Sequence, residues 1–296
     1  MDTEQMMQKL LIQYPSIHNI KRLHINKRWT IIKLINTDTK YDFVKKANTI
    51  CDKPYRDYFK DKTVAIIGPS PSIYNEQNGD IIEKEYDIIV RVNKQWKHNP
   101  TLDKYIGKRT DVLYNCMSYF QESGGVIDSN YLKEHNTKYI IDVFKFGFND
   151  KSQRDDLYHS EYRLNMLVFF HLTNMGVMPL CRIDDSLCTT WDINADTRIN
   201  TGLMAILDIL HMDVKMLYVK GFTFFKDGYI NNYRKLTHNQ NDLHSANAVN
   251  KRLNQENNHD QKKQWLFFKQ IIQNSNIRCK LKMDAALEAI MNQYYF

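Results

Sequence analysis

Two histidines, His244 and His259, stand fifteen positions apart at the edges of one polar stretch of the chain. Histidine is the side chain that exchanges a proton near neutrality, so the pair could divide base and acid duties in one reaction. Histidines with no catalytic duty, at the surface or in the core, are the plainer alternative. His259 opens the run His259-Asp-Gln-Lys-Lys-Gln264, which reads as the start of a helix.

Three other places carry polar groups where a ligand could be met. Gly68-Pro-Ser-Pro-Ser72 breaks an apolar run at once. Its two prolines lack N–H donors, so it would bind through the hydroxyls of Ser70 and Ser72. Arg91-Val-Asn93 closes a second apolar run, and alternation sets Arg91 and Asn93 on one side of it. An ion pair of Arg91 with Asp87 or Asp111 is the structural alternative. Asn200-Thr-Gly202 opens a third element, where free N–H groups at a helix start suit an anion or a ribose hydroxyl. Ordinary N-capping by Asn200 is the alternative there.

The elements that must position these groups alternate between strand and helix. Thr63–Ile67, Tyr86–Asn93, Thr110–Tyr114, Lys138–Phe144 and Val214–Val219 are short β-branched and aromatic runs, as expected of strands covered on both faces. Gly221 closes the last of them. Leu203, Ile206, Leu207 and Leu210 recur at helical spacing, as do Trp265, Phe268 and Ile272 within a helix predicted over Gln261–Ile272. Asp284 is placed to cap a final helix. Leu164–Cys181 is broken by His171, Asn174, Gly176 and Pro179, and reads as a buried helix and turn. The pattern predicts an open, mostly parallel, Rossmann-like α/β sheet flanked by helices, a single main domain over 61–296 preceded by a basic flanking segment over 1–60. That segment holds 12 Lys and Arg against 6 Asp and Glu. Residues 226–258 are polar and Asn-rich, the composition of an active-site lid or of surface filler.

With 43% hydrophobic and 25% charged residues over 296 positions, the chain is neither disordered nor fibrous. A formal charge of +7 is modest, and clustered arginines with interleaved aromatics are lacking, so no nucleic-acid partner is expected. No uncharged run has the length of a membrane span, and the first residues carry acids where a secretory signal would be basic. No transmembrane segment is expected, and peripheral membrane contact by the basic segment is left open. The five cysteines are an odd number without metal-ligand spacing, which predicts reduced thiols and a cytoplasmic setting. No Asp-x-Asp occurs, which argues against a metal-dependent transfer from a nucleoside-diphosphate donor; no metal ion and no cofactor are expected.

Taken in order, these stretches resemble the eukaryotic-type sialyltransferases, glycosyltransferase family 29. Their large motif is similar to Val64-Ala-Ile-Ile-Gly-Pro-Ser-Pro-Ser-Ile73 with Gly79, Ile82, Asp87, Arg91-Val-Asn93 and Gly107-Lys-Arg-Thr110. The small motif is similar to Asn200-Thr-Gly202 through Leu217-Tyr-Val-Lys-Gly-Phe222, the third to His244-Ser245, and the very small motif to His259. Three departures stand out: Pro69 and Pro71 replace the usual Asn and Gly, Gln264 replaces a Glu, and the cysteine pair of secretory members is missing near Thr63–Ala65 and His211–Asp213.

The resemblance implies a GT-A-like fold and an inverting transfer of sialic acid, or a related keto-acid sugar such as Kdo, from a CMP-sugar donor to a glycan acceptor. It implies His259 as general base and His244 as the group that stabilises the leaving phosphate. Ser70, Ser72, Asn93, Asn200, Thr201, Gly202 and Gly221 would hold the donor nucleotide, with Arg91 and Gln264 as structural support. The absence of anchor and disulfide fits a bacterial enzyme or one made in a virus-infected cell. Two other readings remain beside it: a different nucleotide-binding Rossmann-like enzyme, and a degenerate module that binds glycan or nucleotide without turnover.

Overall fold

The computed structural model describes residues 53–116, 127, 129–143, 180–183, 185–230, 233, 259–278 and 280–293. In chain order these form helix α1 (53–59), strand β1 (Thr63–Ile67), α2 (Gly79–Glu85), β2 (Ile88–Val92), α3 (Asp103–Ile106), β3 (Val112–Asn115), α4 (Ser129–Glu134) and β4 (Tyr139–Asp142). There follow β5 (Leu180–Arg182), α5 (Asp185–Ala195), α6 (Thr201–Leu210), β6 (Met216–Lys220), α7 (Gln261–Ile272), α8 (Ser275–Arg278), β7 (Leu281–Met283) and α9 (Ala285–Asn292).

The strands make one sheet in the order β5-β4-β3-β2-β1-β6-β7, and every neighbouring pair is parallel. Laying down strands outward from β1 to β5 and then returning to β6 on the other side of β1 makes a doubly wound, Rossmann-like α/β sheet. The order reverses between β1 and β6. At such a switch point the loops leaving two adjacent strands turn to opposite faces, which opens a crevice at their carboxyl ends. Register sets Ile67 of β1 level with Arg91 of β2 and Lys220 of β6, so the three exits stand side by side.

Strand alternation sends two sets of side chains into two cores. Val64, Ile66, Val90, Leu217 and Val219 pack with α6, Trp265 and Phe268 on one face, and α1 adds Tyr55 and Phe59 there. Ala65, Ile67, Ile89 and Tyr218 pack with Ile82 of α2 and Ile106 of α3 on the other. Each fully buried aliphatic of this kind contributes about 1.5–3 kcal/mol. Every residue of α6 from Leu203 to Leu210 is buried, Asp208 included.

The expected strands and both expected long helices are present, β1 and α7 with the bounds read from sequence. Asp284 caps α9 through Leu287 N–H at 2.8 Å, as read. Two expectations change. Leu180 and Cys181 belong to edge strand β5 rather than to a helix and turn; Pro179 before them ends any helix there. The start of the expected lid is core: Tyr229, Ile230 and Tyr233 are buried, and Tyr229 stacks on Tyr233 with ring centroids 5.1 Å apart. The remainder of that stretch, most of residues 1–60, and most of Leu164–Cys181 lie outside the described residues.

Candidate active site

The crevice between β1 and β6 is built by two backbones in contact. Gly68 N–H donates to Lys220 O at 2.7 Å, and Ser70 N–H to Gly221 O at 3.0 Å. Gly221 has φ +77°, and its N–H donates at 2.8 Å to Oδ2 of Asp284, whose Oδ1 caps α9. A side chain at Gly221 would meet Gly68 O and Ile73, so this glycine is demanded by the crossing of the two loops. Burial pushes the Asp284 carboxyl up, opposed by the N–H groups of Gly221 and Leu287.

Ser70 is buried in this crossing. Its Oγ accepts from Ser72 N at 3.2 Å and from Thr223 Oγ1 at 3.1 Å, so both lone pairs are used within the protein. Ser72 Oγ is buried with no hydrogen-bond partner among the described residues. Asn93 opens a 3-10 turn at φ +47°, a left-handed conformation that asparagine tolerates. Its Oδ1 accepts Cys116 N–H at 3.0 Å and ties the exits of β2 and β3. From the same turn Gln95 Nε2 donates to Gly68 O at 3.1 Å, which ties in the exit of β1.

Arg91 does not make the ion pair weighed above. Its guanidinium donates to the carbonyls of Ile106 at 3.0 Å, Gly107 at 2.9 Å and Arg109 at 3.1 Å, and to Thr110 Oγ1 at 3.1 Å. The loop after α3 wraps it, and burial lowers its pKa to about 10. The two acids have other work: Asp87 accepts Thr63 N–H at 2.8 Å, and Asp111 accepts Ile89 N–H at 2.7 Å and pairs with Arg109 at 3.0 Å.

The helix start at Asn200–Gly202 stands beside the β1 and β6 exits because Phe222 fills the space between them. A Cβ on Gly202 would lie 2.6 Å from the Phe222 ring, and one on Gly68 would lie 2.9 Å from the same ring. Asn200 Oδ1 caps Leu203 N–H at 3.0 Å, while the N–H groups of Thr201 and Gly202 have no partner among the described residues. Asn200 thus caps the helix as the alternative reading had it, and two donors remain without a partner among the described residues at the positive end of a ten-residue helix.

His259 lies against the same corner. Its Nδ1 is 2.8 Å from Arg198 O. A carbonyl only accepts, so in the neutral ring Nδ1 carries the proton and Nε2 carries the lone pair. Asp260 caps α7 through Lys263 N–H at 3.0 Å and fixes the turn that holds the ring. Among the described residues no hydrogen bond joins Gln264 to His259. Fully buried on α7, it accepts Asn200 N–H through Oε1 at 3.1 Å, and its Nε2 has no partner among the described residues.

His259, Asn200, Thr201, Gly202, Gly221, Ser70, Ser72 and Asn93 thus share the carboxyl edge of the sheet. His244 lies outside the described residues. Sequence reading gave no place in the site to Gln95, Phe222, the capping Asp284 or the buried Lys220, whose Nζ donates to Glu76 O at 3.1 Å and to Asn78 Oδ1. Lys220 and Phe222 stood inside a stretch already singled out; a lysine in an otherwise apolar strand was the available signal. Among the described residues no group of three His, Cys, Asp or Glu side chains is placed to hold a metal ion. Nor is any described helix long and apolar enough to cross a membrane.

No protein-family model and no curated protein matches the chain. Solved structures do. The sialyltransferase CstII from Campylobacter jejuni, described in complex with a substrate analogue, cytidine-5'-monophosphate, is 15% identical; the match covers 80% of this chain and 89% of that one at a TM-score of 0.43. The alpha-2,3-sialyltransferase Cst-I from the same organism is 16% identical over 79% of this chain and 83% of that one, with a TM-score of 0.47. A mammalian sialyltransferase is 11% identical over 75% and 68%, with a TM-score of 0.43.

Proposed function

We propose that the chain is an inverting, metal-independent glycosyltransferase that moves sialic acid, or a related keto-acid sugar, from a CMP-activated donor to a glycan hydroxyl. The observation that carries this reading is the placement of His259 beside the α6 start. A proton-accepting Nε2 and two helix N–H groups without a partner among the described residues stand at one corner of a topological switch point. Such a corner can hold a phosphate and deprotonate a neighbouring hydroxyl in the same complex.

In this mechanism the Thr201 and Gly202 N–H groups bind the donor phosphate and spread the charge that develops as the bond to the anomeric carbon breaks. Ser72, Asn93 and Gly221 line the nucleotide side, with Ser70 shaping the loop behind them. Arg91 and Gln264 hold the scaffold. The acceptor hydroxyl loses its proton to His259 Nε2 as its oxygen attacks the anomeric carbon from the face opposite the phosphate. CMP leaves with the electron pair of the broken bond, and His244 is the group proposed to stabilise it. An ion-free route is supported by the lack of an Asp-x-Asp, the carboxylate spacing that often holds a divalent cation on a diphosphate.

A thermal-shift panel of CMP, CDP, UMP, UDP, GDP, ADP and NAD, each with and without EDTA, tests the reading. A ligand that binds only the folded chain raises its melting temperature by mass action. Selective stabilisation by CMP or CDP that EDTA leaves unchanged is the expected result. A response to UDP or GDP that needs a metal ion, or to NAD alone, overturns it.

A further inference from the structure

Gln261 touches both halves of this site. Its Oε1 accepts from Asn200 Nδ2 at 3.4 Å, and its Nε2 donates to the main-chain oxygen of His259 at 2.9 Å. Neither amide can be turned round. Asn200 Oδ1 is committed to Leu203 N–H at 3.0 Å, which leaves Nδ2 as the donor, and a carbonyl oxygen only accepts. Gln261 is 3% exposed, so its amide bridges two protein groups with little water at hand.

The connections run in one line. Arg198 O holds the His259 ring, His259 O holds Gln261, Gln261 holds the Asn200 side chain, and Asn200 N–H holds Gln264. Gln264 reaches only the α6 start. Gln261 hydrogen-bonds both that start and the residue that bears the imidazole, alongside the Arg198 carbonyl that meets the ring itself. A glutamate there could accept from Asn200 but, when ionised, could not donate to His259 O; an aliphatic side chain could do neither. Buried amides linked in series respond to displacement at either end, since each bond is strong only over a narrow range of distance and angle.

We propose that Gln261 is a positioning residue that couples Asn200, at the anion-binding start of α6, to the aim of the His259 imidazole. This rests on the reading of His259 and the α6 start given above. A nucleotide drawn onto the Thr201 and Gly202 N–H groups shifts Asn200, and Gln261 passes the shift to the main chain of His259. The base is then brought to its working orientation when the donor site is filled.

The experiment is imidazole NMR of the full chain, with the His259 resonances assigned by their loss in His259→Ala. The first arm needs no ligand. Asn200→Ser keeps a capping oxygen but removes Nδ2, and it should move the His259 resonances in the wild type and leave them in place in a Gln261→Met background. If the Asn200→Ser displacement is the same in both backgrounds, the coupling is absent and the proposal falls. In the second arm CMP should move the His259 resonances of the wild type but not those of Gln261→Met. CMP affinity is measured for both proteins, so that each is compared at saturation. An equal CMP response in both proteins overturns the proposal. Gln261→Glu at alkaline pH repeats both arms with a polar side chain of the same length, and should also lose the response. Failure of the wild type to bind CMP would sink the cytidine reading, while the ligand-free arm would still decide on Gln261.

Discussion

A methyl group on Gly68 would stand 2.3 Å from the carbonyl oxygen of Gly221, and one on Gly221 would stand 2.6 Å from the carbonyl oxygen of Gly68. The loops leaving β1 and β6 therefore cross backbone to backbone, and only hydrogen fits at either α-carbon. Gly221 also sits at φ +77°. Forcing an L side chain into that conformation costs about 1–3 kcal/mol before any clash is counted. Gly221→Ala should lower stability to urea by at least that much and abolish the nucleotide-induced thermal shift. A variant as stable as the wild type would mean that the loops can part at little cost and that their contact does not shape the site.

His259→Ala should separate chemistry from binding. The ring is held through Nδ1 by the Arg198 carbonyl at 2.8 Å, and among the described residues no hydrogen bond runs from it to the Thr201 and Gly202 N–H groups. A general base contributes about 10²–10⁴-fold to the rate of such a step. Turnover of a CMP-sugar should fall within that range while CMP affinity stays near the wild-type value. Full activity in the variant would remove His259 from the mechanism.

How much of this was legible in the sequence depends on how local each interaction is. β1 and α7 could be read to the residue because a continuous apolar run and an i, i+3 aromatic stripe are local patterns. Strands β5 and β7, at three residues each, are too short for any period to register. Arg91 was visible as an odd residue in a buried strand, but its partners are carbonyls, which every sequence contains and none advertises. The crossing of Gly68 with Gly221 joins loops 153 positions apart, the same separation as the Thr223–Ser70 hydrogen bond that closes it. Only the order of the strands brings them together. His259 and Asn200 could be named as motif residues, but the glutamine between them could not, since Gln261 reads as one more polar residue in a helical first turn.

Gln264 Oε1 accepts from Asn200 N–H at 3.1 Å, from a position with no exposure. Gln264→Met keeps the volume and leaves that donor without its acceptor. An unsatisfied N–H costs about 1–3 kcal/mol when buried, and Asn200 is half-buried, so chemical denaturation should show a loss toward the lower end of that range. Part of it is offset because the unpartnered Nε2 of the wild type disappears as well. The same variant should weaken CMP binding, since the α6 start loses its anchor. Unchanged stability together with unchanged affinity would show that Asn200 is held by its side chain alone.

Asp208 offers a pH test of the core that is independent of the site. Its Oδ2 accepts from Tyr114 at 2.7 Å and Tyr55 at 3.3 Å, tying α6 to β3 and α1. Burial raises its pKa from 3.8 to about 6, against the lowering effect of the two hydroxyls and of the Arg56 and His211 charges. Between these values the folded chain holds a proton on Asp208 that the unfolded chain has released. Stability from this group is therefore fully present below about pH 3.8 and is lost as pH rises through 6. The slope across that window is about 1.4 kcal/mol per pH unit at most. Asp208→Asn keeps an oxygen to accept from Tyr114 but cannot ionise, so its contribution should be flat with pH. Urea denaturation of both proteins at closely spaced pH values measures the difference. Parallel curves would show that Asp208 stays ionised in the folded chain throughout, with the tyrosine hydroxyls outweighing its burial.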